Sequence, residues 1–297
     1  MRISENHGMT EPLPSDLSAY AGLCELRLVG VDMDGTLLDD QKRFPPKLDE
    51  LLDELDSRGI VFAPASGRQV WTLLDMFPNR PGMTVIAENG AIVMKDGVEV
   101  SSSPLDHETV SRAIDLVRAE VKAGRNAGLL LCGKQFAYIE RHDEPFTSQV
   151  DPYYHRVLKV SDQHEVVAKM ESDAIDDDVI KLAVLDLEEV TPIAEKTLGL
   201  FADTHQFAIS GLNWADLQLR GVDKGRALRA LQEAIGVSPA QTAAFGDFHN
   251  DLSMLAQAEW SFAMANAHAD VIEAARFVAP SNNEDGVGQV LRTLLNG

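Results

Sequence analysis

Residues 26–38, LRLVGVDMDGTLL, constrain this chain more than any other stretch. An apolar, strand-like run (Leu26, Leu28, Val29, Val31) stops at two carboxylates one residue apart, Asp32 and Asp34. Gly35 and Thr36 then turn the chain. Side chains alternate faces along a strand but not in the turn beyond it. Both carboxylates are therefore expected to lean over the strand's carboxyl end, the edge at which open parallel sheets bind ligands. Two hard oxygen ligands suit Mg²⁺, and a carboxylate beside that ion is able to attack phosphorus. Asp and Gly also favour turns for conformational reasons alone. A calcium loop is excluded: counted from Asp32, the positions that need Gly and Glu hold Leu37 and Arg43.

The chain after this turn reads as a parallel βαβ unit. Leu48, Leu51, Leu52 and Leu55 recur at helical spacing, Gly59 ends that helix, and 60–63 is a second buried strand. It runs into Pro64-Ala65-Ser66-Gly67-Arg68, where Ser66 is either a helix cap or a phosphate ligand beside the Gly67 N–H. Residues 83–87 form a third strand ending in Glu88-Asn89-Gly90, and Asp96-Gly97 turns a hairpin. From 105 to 212 helical and strand-like segments alternate without a glycine-rich phosphate loop or a metal-ligand cluster. Within them Asp176-Asp177-Asp178 reads as a solvated turn. Asp223 is a candidate N-cap for a helix over 224–235, which sets Lys224 where the helix dipole disfavours a cation. A last buried strand, 242–245, runs into Gly246-Asp247-Phe248-His249-Asn250-Asp251. There Asp247 is a candidate metal ligand and Asn250 a candidate phosphate ligand. Asp251 is a candidate to hold Lys224 or a metal-bound water, and His249 reads as incidental.

At 297 residues, two domains are expected. The fold class is α/β: a Rossmann-like three-layer core with a mostly parallel sheet over 25–104 and 213–297. An α+β cap domain over 105–212 is inserted into it. A formal charge of −21 excludes general nucleic-acid or anionic-membrane binding, and requires a local Lys or Arg beside the Asp pair if phosphate is handled. Two cysteines, Cys24 and Cys132, give neither a zinc site nor a disulfide framework. Reduced thiols and a cytoplasmic monomer or small homo-oligomer are expected. No run is long enough to span a membrane. Residues 1–24 read as a mobile polar extension in which Met9 is an alternative start.

Asp32 to Leu38, Ala65 to Arg68, Glu88 to Ala91, Lys224-Gly225, Gly246 to Asp251 and Asn283 to Val287 together resemble the haloacid dehalogenase superfamily, in particular its Cof-type sugar-phosphate phosphatases. The resemblance runs from about residue 25 to the end and is weak in the insert. It implies Asp32 as nucleophile and Asp34 as general acid/base. It further implies Mg²⁺ held by Asp32, the Asp34 backbone carbonyl and Asp247. Phosphate would touch the Met33 backbone, Ser66, Gly67, Lys224 and Asn250, with Arg68 and cap residues facing the leaving group. Ser66 stands where that branch more often has Thr, and Pro64 precedes it.

The expected activity is Mg²⁺-dependent hydrolysis of small phosphorylated metabolites through an aspartyl-phosphate. The alternatives are a phosphosugar mutase, marked by isomer formation without phosphate release, and a non-catalytic binding module, marked by a lost nucleophile or Lys. Tyr138, Tyr153, Tyr154, His155 and Arg156 are candidates either for substrate contact or for packing.

Overall fold

A computed structural model describes residues 25–296, and the expected mobile extension over 1–24 lies outside them. Among the described residues, 25–66 and 223–296 form one compact unit, and 67–222 a second. Along the chain, the first unit opens with β1 (Leu28–Asp32), α1 (Leu48–Ser57) and β2 (Val61–Ala65). The second unit holds α2 (Val70–Asp75), β3 (Val85–Ala87), β4 (Ile92–Lys95), β5 (Val98–Ser102), α3 (His107–Lys122), β6 (Ala127–Gly133) and β7 (Ala137–Ile139). It continues through α4 (Glu144–Val150), β8 (Val157–Lys159), α5 (Gln163–Glu171), β9 (Val179–Asp186), α6 (Thr191–Lys196), β10 (His205–Ile209) and β11 (Trp214–Leu219). The first unit is completed by α7 (Lys224–Ile235), β12 (Thr242–Gly246), α8 (Leu252–Leu255), β13 (Trp260–Met264), α9 (Ala269–Ala274), β14 (Phe277–Ala279) and α10 (Gly286–Leu295).

In the first unit the strands lie in the order β14-β13-β12-β1-β2, all parallel. β1 and β12 are buried along their whole length, as parallel strands covered on both faces must be. Leu48, Leu51, Leu52 and Leu55 are the buried stripe of α1, which packs on α10. Gly30 faces the other helices: a Cβ there would lie 3.2 Å from Leu228 of α7 and 3.4 Å from Met254 of α8. Phe245, Phe262 and Phe277 stack across three neighbouring strands, with ring centroids 4.7 and 5.2 Å apart. Pro64 sits inside β2, opposite Val31.

The second unit contains an antiparallel ribbon, β3-β4-β5, and a six-stranded sheet ordered β10-β11-β9-β6-β7-β8. One face of that sheet buries Val110, Ile114 and Val117 of α3 against Leu129, Leu131, Leu182 and Val184. The other face buries Phe146 and Val150 of α4 against Leu130 and Leu185.

Two details differ from the sequence reading. β11 pairs antiparallel with β9 and β10, so 214–219 joins the sheet of the expected insert rather than that of the core. Asp177 is not in a solvated turn. It is buried and accepts hydrogen bonds from the N–H groups of Gln135, Phe136 and Asp178 and from the Tyr138 hydroxyl. Among the described residues no helix is long and apolar enough to cross a membrane.

Candidate active site

From β1 the chain winds outward through α1 to β2, and from β12 it winds the opposite way to β13 and β14. The order therefore reverses between β1 and β12, the point where such sheets hold ligands at their carboxyl ends. Asp32 is the last residue of β1, and Asp247 directly follows Gly246, the last of β12.

Beside Asp32 stands Lys224, the first residue of α7. The helix begins there because Asp223 caps it, accepting the Arg226 N–H at 2.8 Å. The Lys224 side chain is fully buried, and its Nζ lies 2.5 Å from Asp32 Oδ1 and 2.7 Å from Asp251 Oδ1. Two charge-assisted hydrogen bonds outweigh the unfavourable helix dipole. The other Asp251 oxygen accepts the N–H groups of Asp247 and Phe248 at 3.0 and 3.1 Å. Asp251 thus positions both the lysine and the turn that carries Asp247.

Three glycines allow the close approach. A Cβ at residue 225 would lie 2.2 Å from the Ser253 carbonyl oxygen, and one at 246 would lie 2.4 Å from the Asp251 Cβ. Gly35 has φ +84°, and a Cβ there would lie 2.4 Å from Asp247 Oδ2. The next residue, Thr36, donates its hydroxyl to Asp247 Oδ1 at 3.1 Å. Asn266 donates to the Gly35 carbonyl at 2.7 Å. The parts of Thr36 and Asn266 were not read from the sequence. A hydroxyl after Asp-Gly was the only available signal for the first, and the second had none.

One carboxylate oxygen each from Asp32, Asp247 and Asp251 lies within 4.8 Å of the others. Burial pushes the Asp32 carboxyl up to about 8; Lys224 draws it down, while Asp251 and Asp247 add to the rise. Burial and then the Asp251 charge raise Asp247 as well. Burial opposes the Lys224 charge, but Asp32 and Asp251 hold its ammonium above the usual lysine range. Three carboxylates thus share one ammonium, which leaves a deficit of positive charge. Both Asp251 oxygens are engaged, so Asp32 and Asp247 are the donors left to meet that deficit. Hard oxygen donors of this kind fit Mg²⁺.

The remaining candidates are placed as follows. The Asp34 side chain stands outside the three-carboxylate group; it is partly exposed and its Oδ1 lies 2.7 Å from the Lys42 ammonium. The Met33 side chain is buried, and its carbonyl accepts the N–H groups of Leu37 and Leu38. Ser66 is buried just beyond β2 and is not a helix cap, because Gln69 holds the N-cap position of α2, without a side-chain cap bond. Asn250 is exposed in the single turn His249–Asp251.

Gly67 and Arg68 belong to the second unit. There a Cβ on Gly67 would approach Asn89 Nδ2 to 3.1 Å, and the Arg68 carbonyl accepts the Glu88 N–H at 3.0 Å. Glu88, Asn89 and Gly90 all have positive φ, and the buried Glu88 carboxylate pairs with the buried Lys181. Tyr138 and Tyr154 are buried packing residues, whereas Tyr153 is half exposed and the exposed Arg156 stacks 3.3 Å over the Trp71 ring. The His155 ring pairs with Asp75 at 2.8 Å.

A family model described as haloacid dehalogenase-like hydrolase matches residues 29–291. The 5-amino-6-(5-phospho-D-ribitylamino)uracil phosphatase YbjI of Escherichia coli is 32% identical over 276 residues, which is 91% of this chain and 96% of that one. A solved structure from Eubacterium rectale superposes with a TM-score of 0.78 at 25% identity, covering 91% of this chain and all of that one. One from Thermotoga maritima, at 26% identity, superposes with a TM-score of 0.76 and covers 90% of this chain and 97% of that one.

Proposed function

The chain belongs to the haloacid dehalogenase-like hydrolases and is a phosphatase of that type, and from this premise we propose that it hydrolyses small phosphomonoesters, with Mg²⁺, through an aspartyl-phosphate on Asp32. The observation that carries this reading is the buried Lys224, shared by Asp32 and Asp251 beside Asp247. A hydrolase with no anionic substrate has little use for a buried ammonium at a sheet's switch point.

Asp32, Asp247 and the Asp34 backbone carbonyl would hold the Mg²⁺. When bound, the ion supplies positive charge against the carboxylates and the transferring phosphoryl group. Lys224 adds to that charge and draws the buried Asp32 carboxyl downward, and the metal charge would complete its ionisation, because neighbouring cations favour the carboxylate. The lysine, the Ser66 hydroxyl, the Asn250 amide and the Met33 N–H group bind the phosphate oxygens. An Asp32 oxygen attacks phosphorus as the bond to the leaving alkoxide breaks, and Asp34 gives that alkoxide its proton. Asp34 then takes a proton from the water that cleaves the aspartyl-phosphate and releases inorganic phosphate. The working compartment in this reading is the cytoplasm.

The Escherichia coli relative makes phosphorylated ribitylaminouracil the first compound to test. Phosphate release is measured across a panel of phosphorylated metabolites with Mg²⁺ and with EDTA. Asp32→Asn is expected to abolish release and EDTA to suppress it. Undiminished turnover by Asp32→Asn would overturn the nucleophile assignment. Isomer formation without release would make the protein a mutase.

A further inference from the structure

Outside the carboxylate group, a second set of metal-ligating side chains stands on the same unit. His249 lies in the single turn after β12, and His268 and Asp270 lie at the start of α9. We propose that His249, His268 and Asp270 form a site for a transition-metal ion of the Zn²⁺ class, separate from the carboxylate site. One ligand atom from each lies within 4.8 Å of the other two, and all three residues are exposed.

The spacing suits a small tetrahedral ion. With metal–ligand bonds of about 2.0–2.1 Å, neighbouring ligands on a tetrahedron stand about 3.3 Å apart. Here His249 Nε2 is 2.9 Å and His268 Nδ1 is 3.5 Å from Asp270 Oδ2, so the carboxylate oxygen already sits near the required distance from both imidazoles. Water would complete the coordination at this open surface. The ion would take the place of the 2.9 Å contact between His249 Nε2 and Asp270 Oδ2.

The donors are also held in place. The two imidazoles are 4.2 Å apart at their centroids, and Phe248 packs edge-on against both at 4.9 and 6.2 Å. His268 is fixed by its backbone N–H, which donates to the Asp247 carbonyl at 2.9 Å. Its ring Nδ1 accepts the Asp270 N–H at 3.3 Å, a long bond that is weak enough to exchange for a metal. The donor types separate the two sites. Imidazoles suit Zn²⁺, Cu²⁺ and Ni²⁺, whereas the all-oxygen group suits Mg²⁺. A net charge of −21 raises the local concentration of any cation.

The test uses the full chain in excess Mg²⁺, which occupies the carboxylate site. Zn²⁺ binding is followed by calorimetry, and Cu²⁺ is used as a spectroscopic probe. The expected result is one Zn²⁺ per chain and imidazole-nitrogen splitting in the Cu²⁺ electron paramagnetic resonance spectrum. In a His249→Ala/His268→Ala variant with an unchanged melting temperature, Zn²⁺ affinity is expected to fall by at least about tenfold, the loss that even an outer-shell partner causes. The nitrogen splitting is expected to vanish. Asp270→Asn, which keeps both imidazoles, is expected to weaken Zn²⁺ but leave the splitting. Zn²⁺ affinity and splitting unchanged in the double variant would overturn the proposal, as would no Zn²⁺ binding in excess Mg²⁺. Those results would leave His249 and Asp270 as a surface ion pair.

Discussion

Lys224→Met keeps most of the buried stem and removes only the ammonium. Asp32 and Asp251, with side chains 11% and 0% exposed, then face one another without the cation that now sits 2.5 and 2.7 Å from their oxygens. Removing one partner of a buried ion pair costs about 3–5 kcal/mol, so a loss of that size is expected at pH 7. The loss then grows with pH, and its sign follows from proton counting. In the parent without metal, Asp32 releases its proton near pH 8, while the same carboxyl in the unfolded chain does so near 3.8. Without the lysine the folded-state value moves higher still. Above about pH 8 the folded variant therefore keeps a proton that the folded parent has lost. The stability gap between them widens by at most about 1.4 kcal/mol per pH unit. Lys224 itself is held above its ordinary range, so it stays charged throughout this window and does not confuse the comparison. Urea denaturation in EDTA at pH 7 and pH 9.5 measures both effects, with an added gap of up to about 2 kcal/mol expected at the higher pH. A second change, Asp32→Asn in the variant, should erase the widening because it removes the titrating group. A gap below about 1 kcal/mol at both pH values, or one that does not change with pH, would refute the view that Lys224 compensates this carboxylate pair.

Gly35→Ala is expected to strike the site harder than the fold. The new Cβ meets Asp247 Oδ2 at 2.4 Å on a backbone with φ +84°. A displacement of Asp247 by about 1 Å would lower kcat/KM about 100-fold, against a melting loss worth about 1–3 kcal/mol; near-parent turnover would show that the turn has room to move. Asp177→Ala leaves three backbone N–H groups and the Tyr138 hydroxyl without their acceptor. At about 1–3 kcal/mol for each group that stays dry, a loss of at least about 3 kcal/mol in chemical denaturation is expected. An effect under about 0.5 kcal/mol, the size of an ordinary surface substitution, would return Asp177 to the solvated turn that its sequence suggests.

The parts of the molecule that were legible in the sequence are those whose cause is local. β1, α1 and β2 follow from an apolar run, a leucine stripe and a terminating glycine, all within 40 residues. The Asp223 cap and the full span of α7 follow from a side chain reaching its own helix. The partners of Lys224 lie 192 and 27 residues away, and only the motif pattern hinted at them. Asp177 failed for the same reason: three aspartates in a row look solvated, and the donors that bury the middle one come from 39 to 42 residues away as well as from its neighbour. For Ser66 the sequence left a cap and a phosphate ligand open; the chain runs on to Gln69 before α2 begins, which removes the cap alternative. β11 was placed with the wrong unit because Leu217-Gln218-Leu219 alternates as any half-buried strand does. The partner strand, not the pattern, decides which sheet receives it.

The residues that break local preference converge on one place. A lysine starts a helix against its dipole, and a left-handed glycine presses on a carboxylate. Two more glycines stand where a single methyl would collide, and burial raises two aspartates toward neutrality. The lysine at the helix start and the raised aspartates cost free energy in the free protein. Together they leave excess negative charge around a buried ammonium. A divalent cation would lower Asp32 and Asp247 toward the ordinary carboxylate range, and a phosphate dianion would then find that cation and Lys224 on one side. The order of events follows from the charges: the metal must precede the phosphate, because the dianion alone would meet three carboxylates and one lysine. Product inhibition by inorganic phosphate should therefore require Mg²⁺. Phosphate that binds equally well in EDTA, measured by calorimetry, would mean that Lys224 suffices and that the carboxylates are already protonated in the resting site.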